Sequence, residues 1–314
     1  MLVVLNPHAN AGAGLSRWEP VESALRHRYS DVNVEMPADA DQAVKLVRTA
    51  VDAGAPPVIA AAGGDGMVHL VLNALMDPAT DRPRAGAENV ALGAVGLGSS
   101  NDFHKPVAEE SRINGVPVRV DAASAEPVDI GKATLTLSDG STAVRYFLLN
   151  ASVGLVAAGN HSFNHATGLV GWLKGRNVEA AIIATALRNI VTHRPLDIRV
   201  SGDNWTYAAP VTNVGVLKSV HFAGGMRYDT PVTRTDGMFD VNIWERAGRW
   251  QTVGLIAALY RGQFTGRPRT VCERASAVEL RPAEVTPLEL DGEITMVKSA
   301  RLEVLPRALK VCAA

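Results

Sequence analysis

Short apolar runs alternate with amphipathic stretches through the first third of the chain. "LVVLN" at the amino terminus reads as a strand, and "LSRWEPVESALRHRY" as a helix carrying Pro20 in its early turns. "DVNVEM" predicts a second strand, and "DADQAVKLVRTAVDAG" a helix that ends at Gly54. The strand "PPVIAAA", the helix "GMVHLVLNALM" and the strand "NVALGAVG" complete the series. Apolar strands joined through helices by short connections specify a parallel sheet with helices on its faces. Ligands in such sheets bind at the carboxyl ends of strands. Those ends are "NPHANAGAG", "GGDG" and "GLGSSND", all rich in glycine or small polar residues. Their convergence is the strongest functional signal in the pattern.

After Pro117 the texture changes. "VDIGKATLTL", "TAVRYFLLNASVG", "LDIRVSG", "WTYAAPVTNVGVL", "FDVNIWE" and "AVELRPAEVTPLEL" are β-like runs separated by turn signals. Two helical stretches interrupt them, near Val170 to Thr192 and Arg249 to Gln263. This predicts a mostly antiparallel, β-rich second domain beginning near Val120. There is no repeat of fixed period and no low-complexity linker.

Composition narrows the classes. A chain of 314 residues is long for one core and comfortable for two domains. At 47% hydrophobic and 20% charged it is an ordinary globular composition, far from a disordered one. A formal net charge of −1 gives no overall field for nucleic acid, and none is expected as a partner. Cys272 and Cys312 make no disulfide framework, which points to a reducing compartment. "MLVVLNPHANAG" lacks the features of a signal peptide. The apolar stretch Val178 to Val191, interrupted by Glu179 and Arg188, falls short of a membrane span. A cytoplasmic protein that visits membranes without crossing them fits this profile.

The motifs sharpen the picture unevenly. No Walker A pattern occurs, and "GDGMVH" and "GLGSSN" both fail to complete G-x-G-x-x-G. In "GGDG" the glycines clear room for a phosphate against backbone N–H groups, and Asp65 would repel that phosphate. Either a cation bridges the two, or Asp65 handles a proton, or it only caps the helix. "GLGSSND" offers two hydroxyls and an Asn-Asp pair, or a solvated turn; "NPHAN" follows a strand, or is an Asn-Pro turn. His161 and His165 in "HSFNH" lack the glutamate of a zinc-protease motif and read as a surface loop. Asp139-Gly140, Asp236-Gly237 and Asp291-Gly292 are favoured hairpin turns, and Asp139 is assigned to that role. Only "DGE" adds a second carboxylate, Glu293, suited to metal binding or general base chemistry.

Taken together, these blocks resemble the diacylglycerol kinase catalytic-domain family, the soluble bacterial lipid kinases related to sphingosine kinases. "NPHANAGAG" is similar to its N-P-x-[SA]-G-type nucleotide loop, "GGDGMVHLVLNAL" to its G-G-D-G-T-x-x-E-x-x-N-G-L block, and "LGSSNDF" to its L-G-T-x-N-D-F. "AGGMRYDTPVTRTDGMFDV" resembles the G-G-G-M-x-x-x-P…D-G-x-x-D-V segment, and "LELDGEI" the late D-G-E. Five blocks in family order span nearly the whole chain. The resemblance implies a discontinuous two-domain layout. Residues 1–120, with 305–314 returning, would form the α/β nucleotide-binding domain, and 121–304 the β-rich lipid domain.

Carried over by position, Asn6, Pro7, His8, Ala9, Asn10, Gly63, Gly64, Asp65, Gly66, Met67, Gly98, Ser99, Asn101 and Asp102 would bind ATP. Thr233, Asp236 and Met238 match a structural magnesium position, the first and last through backbone carbonyls. Asp291 and Glu293 match the region of the proton acceptor, and Asp65 would orient magnesium or the acceptor hydroxyl. The chain departs from the family at Pro37 and Met67, each in place of threonine, and at Leu70, in place of glutamate. Gly96 stands for proline and Ser99 for threonine. The implied activity is an ATP- and magnesium-dependent lipid kinase. A soluble-substrate kinase of the NAD-kinase type and a catalytically silent lipid-binding homologue are the alternatives. The implied partner is a membrane lipid met by peripheral contact, with a homodimer left open. Asn160 to Arg176, carrying Phe163, Leu169, Trp172, Lys174 and Arg176, is the expected docking loop.

Overall fold

The computed structural model describes residues 1–164, 189–190 and 192–313. Three parallel strands open the chain: β1 (Leu2–Leu5), β2 (Asn33–Glu35) and β3 (Val58–Gly63). A fourth, Ala91–Gly96, lies parallel to β3, giving the order β2, β1, β3, Ala91–Gly96. Three helices alternate with them: α1 (Gly14–Arg28), α2 (Ala40–Asp52) and α3 (Asp65–Leu75).

The period of two in the strands decides which helix covers which face. Val3 and Leu5 of β1 join Val58, Ala60 and Ala62 of β3 in one core with Trp18, Val21 and Leu25 of α1. Leu2, Val4, Ile59 and Ala61 face the other way, onto Ala43, Val47 and Val51 of α2 and Val68, Val71, Leu72 and Leu75 of α3. Both faces of the sheet are therefore dry, which is why its strands read as unbroken apolar runs.

The second half is antiparallel, and its strands continue the same sheet. Two expected runs are broken. "TAVRYFLLNASVG" forms Thr142–Phe147 and Asn150–Gly154, with a break at Leu148 and Leu149. "AVELRPAEVTPLEL" forms Ala277–Pro282 and Thr286–Leu290. The Asp139-Gly140 pair is the expected turn: the Ser141 N–H reaches the Asp139 carboxylate at 2.9 Å, between strands Ala125–Leu137 and Thr142–Phe147.

The final strand, Glu293–Cys312, is 20 residues long and is not among the β-like runs read from the sequence. It runs antiparallel to Ala125–Leu137 for most of its length. Its end turns parallel to the first half, with Lys310 opposite Ala91 and Val311 opposite Leu92. One strand thus ties the two halves together. In the second core Phe147 stacks on Phe239 at 5.6 Å. The Phe147 ring fills the space over Gly131, where a Cβ would lie 2.2 Å from a ring carbon, so only glycine fits there. The helix Arg249–Tyr260 packs beside Trp244, Phe264 and Tyr228. Most of the expected Val170–Thr192 helix lies outside the described residues.

Candidate functional site

The carboxyl ends of β1, β3 and Ala91–Gly96 open into a cleft of about 570 Å³, closed on its far side by the turn after Thr286–Leu290. From the first strand end, Asn6, His8, Ala9 and Asn10 line it; from the second, Gly64, Asp65, Gly66 and Met67; from the third, Gly98, Ser99 and Asp102. Asp291 and Glu293 line the opposite wall. Pro7, Gly63 and Asn101 are not at its surface. The Gly63 carbonyl instead accepts the N–H groups of Leu97 and Gly98 at 2.9 and 3.1 Å.

The two glycine loops meet backbone to backbone. A Cβ on Gly98 would lie 2.5 Å from the Gly64 Cα, so Gly98 has no room for a side chain. Asn101, left-handed at φ 49°, turns its amide onto the carbonyls of Gly96 and Gly98 at 3.1 and 2.9 Å. Arg17 of α1 donates to the carbonyls of Leu97 and Gly98 at 3.0 and 3.3 Å. The departure at Gly96 has a steric reason: a Cβ there would meet Pro117 Cγ at 2.6 Å.

Asp65 is not the helix N-cap. That position belongs to Gly64, and Asp65 is the first helical residue. Its carboxylate crosses to the neighbouring loop and accepts the N–H groups of Asp102 at 3.0 Å and Phe103 at 2.9 Å. Burial, then the nearby charge of Asp102, pushes its carboxyl up to about 6 despite those hydrogen bonds. Asp102 is itself held, by Lys105 Nζ at 2.6 Å and the Gly224 N–H at 3.2 Å.

Asp291 and Gly292 form a two-residue hairpin turn with φ of 50° and 93°, pairing Leu290 with Glu293. The hairpin-turn reading therefore holds, and the same residue lines the cleft. The Asp291 carboxylate accepts N–H groups from Leu148 (2.9 Å), Leu149 (2.8 Å) and Asn150 (3.2 Å), the stretch where the predicted strand breaks. His69 of α3 stands 3.4 Å away through Nδ1. With both oxygens so occupied, Asp291 shapes the cleft wall. Glu293 is exposed, and its Oε1 sits over Gly66, 2.7 Å from where a Cβ would be.

Glu289 was not singled out from the sequence. Leu288 and Leu290 of its strand enter the second core, so Glu289 points the opposite way, buried at the cleft floor. Ser152 Oγ donates to it at 2.6 Å and the Gly292 N–H at 2.5 Å. Burial, with the charges of Asp291 and Asp102, pushes its carboxyl up to about 7. The visible signal was a lone glutamate alternating with core leucines two residues before "DG".

Thr233, Asp236 and Met238 do come together, but away from the cleft and around a different cation. The Lys218 ammonium, fully buried, lies 3.0 Å from Met238 O, 3.4 Å from Asp236 Oδ1 and 3.0 Å from Asp129 Oδ2. Thr233 hydrogen-bonds to the Asp236 carboxylate through its side chain. The donor set does not fit a divalent ion because an ammonium already occupies its centre. That corrects the expected magnesium position. Among the described residues no group of three or more His, Cys, Asp or Glu side chains is placed to hold a metal alone.

Comparison with known proteins agrees with this architecture. Residues 1–133 match the diacylglycerol kinase catalytic domain, and residues 152–313 the YegS C-terminal NAD kinase beta sandwich-like domain. A diacylglycerol kinase of Mycobacterium tuberculosis is 24% identical over 315 residues, covering 98% of this chain and 92% of its own. One from Bacillus subtilis is 24% identical over 245 residues, covering 75% of this chain and 71% of its own. A solved Bacillus anthracis structure of the diacylglycerol kinase group superposes with a TM-score of 0.70 at 19% identity, covering 100% of this chain and 96% of that one. The chain belongs to the lipid kinase family that joins a diacylglycerol kinase catalytic domain to a YegS-type C-terminal domain.

Proposed function

We propose that this kinase transfers the γ-phosphoryl group of ATP, with magnesium, to a hydroxyl of a diacylglycerol-like lipid. The observation that carries the reading is the single cleft, which sets three small-residue loops opposite Glu289, Asp291 and Glu293. The loops suit a polyphosphate because Gly64 and Gly98 keep side chains away and α3 presents its amino-terminal N–H groups there. ATP supplies the phosphoryl group when bound, and magnesium, held by its phosphates with one or two carboxylates, offsets its charge. Asp65 is the carboxylate that would hold that ion.

Asp65 also fixes the Asp102–Phe103 turn, so it keeps both loops in one geometry. Glu293, exposed to the cleft and unencumbered by the backbone donors that fill Asp291, is assigned the hydroxyl proton. Phosphoryl transfer requires positioning and charge neutralisation more than proton removal, so this division of labour suffices.

Access to a lipid is supported by the helix Arg249–Tyr260. Its Trp250 is 88% exposed, Tyr260 60% and Val253 40%, with Arg246, Arg249 and Arg261 exposed beside them. Aromatic and basic residues together suit an anionic bilayer surface. Tyr260 also packs over Gly225, in the loop whose Ala223 lines the cleft. No helix among the described residues is long and apolar enough to cross a membrane. We infer a cytoplasmic enzyme that docks transiently at the inner membrane face. The docking loop expected at Asn160 to Arg176 lies largely outside the described residues.

The test is incubation with γ-labelled ATP, magnesium and mixed-lipid vesicles containing diacylglycerol, followed by organic extraction. Label is expected in the organic phase, and Asp65→Asn should reduce it about 10²-fold or more. Label appearing on NAD instead would establish the soluble-substrate reading, and no label the silent lipid-binding one. Trp250→Ala should lower turnover on vesicles while sparing it on detergent-dispersed lipid; a loss of self-association instead would make that face a dimer contact.

A further inference from the structure

Lys218 is a buried cation that neither the cleft nor the catalytic reading uses. Its side chain has no exposure, nor has that of Asp129. An ammonium has three N–H donors, and three acceptors surround this one: Asp129, Asp236 and the Met238 carbonyl. A buried charge persists only when paired and hydrogen-bonded in this way. Arg274 makes a second ion pair with Asp236 and stands 3.8 Å from the buried Asp240 carboxylate.

The cage also gathers distant parts of the chain. Asp129 accepts the Gly237 N–H at 2.7 Å and the Arg307 N–H at 3.0 Å, from the turn before Phe239–Glu245 and from the final strand. The Lys218 N–H donates to Leu149 O at 2.8 Å, and the Leu149 N–H to Asp291 Oδ1 at 2.8 Å. One residue therefore separates the cage from the cleft wall. Two carboxylates and a carbonyl around a central cation are also ligand types that hold magnesium or calcium.

We propose that the Lys218 ammonium takes the structural place of a divalent ion, so that this domain folds without metal at the cage, and that truncating Lys218 turns the cage into a divalent-cation site. The inference is independent of which lipid or nucleotide the cleft takes. A divalent ion and the ammonium cannot share the centre, so the truncated variant must respond to metal where the wild-type chain does not.

Thermal unfolding of the nucleotide-free full chain, in EDTA and in millimolar MgCl2, reads this directly. Wild type should melt at the same temperature in both buffers. Lys218→Ala should melt roughly 10 °C lower in EDTA, because the buried Asp129 loses its cation and Asp236 keeps only Arg274, and saturating Mg2+ should restore most of the loss. Lys218→Met with Asp129→Asn removes both charges and should melt above Lys218→Ala in EDTA while ignoring Mg2+. The proposal is overturned if wild type loses stability in EDTA and Asp236→Asn abolishes that loss. It is equally overturned if Lys218→Ala is as stable as wild type and indifferent to Mg2+. Should Lys218→Ala fold in neither buffer, the wild-type pair decides: an unchanged midpoint upholds the inference, and an Asp236-dependent fall in EDTA overturns it.

Discussion

Asp236-Gly237 and Asp291-Gly292 are the same dipeptide, each at a tight turn in the β-rich half, and the fold gives them opposite electrostatic surroundings. Asp236 is neutralised by side-chain cations, Lys218 and Arg274. Asp291 is held by the N–H groups of Leu148, Leu149 and Asn150 and, among the described residues, bonded by no lysine or arginine. Backbone dipoles fix a carboxylate in place without cancelling its net charge, whereas an ammonium cancels it. If the cleft takes a metal-bound polyphosphate as proposed, the wall facing it keeps an uncancelled carboxylate charge. The turn that only supports the fold loses it.

The largest effect should come from Asp291→Ala. It strands three inward-facing N–H groups, at a cost of roughly 3 kcal/mol or more, and loosens the cleft wall enough to abolish transfer. Asp236→Ala leaves Lys218 bonded to Asp129 and Met238 and should cost about 1–2 kcal/mol. Its turnover should stay within a few-fold of wild type. Urea unfolding of both variants beside the lipid-labelling assay checks the pair. Equal losses of stability and activity would erase the distinction between the two turns.

A smaller effect concerns how much negative charge the wall carries at a given pH. The Glu289 carboxyl rises from 4.5 to about 7 in the folded chain. The unfolded chain therefore releases this proton first as pH rises. The associated stability is full below about pH 4.5 and is lost by about pH 7. Glu289→Gln has no proton to release, so its stability curve should lack this fall, a difference of up to roughly 3 kcal/mol between pH 4.5 and 8. Urea midpoints across that range measure it. Parallel curves for the two proteins would show that Glu289 ionises as freely folded as unfolded.

The same comparison shows what was legible in the sequence. Strand–helix alternation placed β1, β3 and α3 because period and turn chemistry are local properties, and the three strand ends do meet at one cleft. Asp65 was visible as an anomaly among glycines, but its partners, Asp102 and Phe103, are 37 and 38 positions away and cannot be read from local pattern. The break at Leu148 and Leu149 was hidden because both residues are apolar and buried and suit a continuous strand. What bends the chain there is a carboxylate more than 140 positions later. Lys218 was missed for the same reason. A lysine beside an apolar strand reads as surface, and only tertiary pairing makes burial tolerable.

The smallest expected effect tests the other wall, where the chain departs from its family. Leu70 sits one turn after Gly66 on α3, half-buried and lining the cleft, with part of its side chain against the first core. A glutamate at this position has a route to the cleft without entering the core. If the cleft binds nucleotide, Leu70→Glu adds a polar group beside the small-residue loops, and a charge-assisted hydrogen bond to the ligand would tighten ATP about tenfold. The added charge also stands near Asp65, whose carboxyl is already pushed up to about 6, and should raise it further. Tighter ATP binding with a more basic pH optimum is therefore the expected signature. Calorimetric titration with the ATP analogue, repeated at two pH values, separates the gains. Weaker binding together with a lower unfolding midpoint would mean that the leucine serves the core more than the cleft. This wall would then be built for packing, and recognition would rest on the backbone of the glycine loops alone.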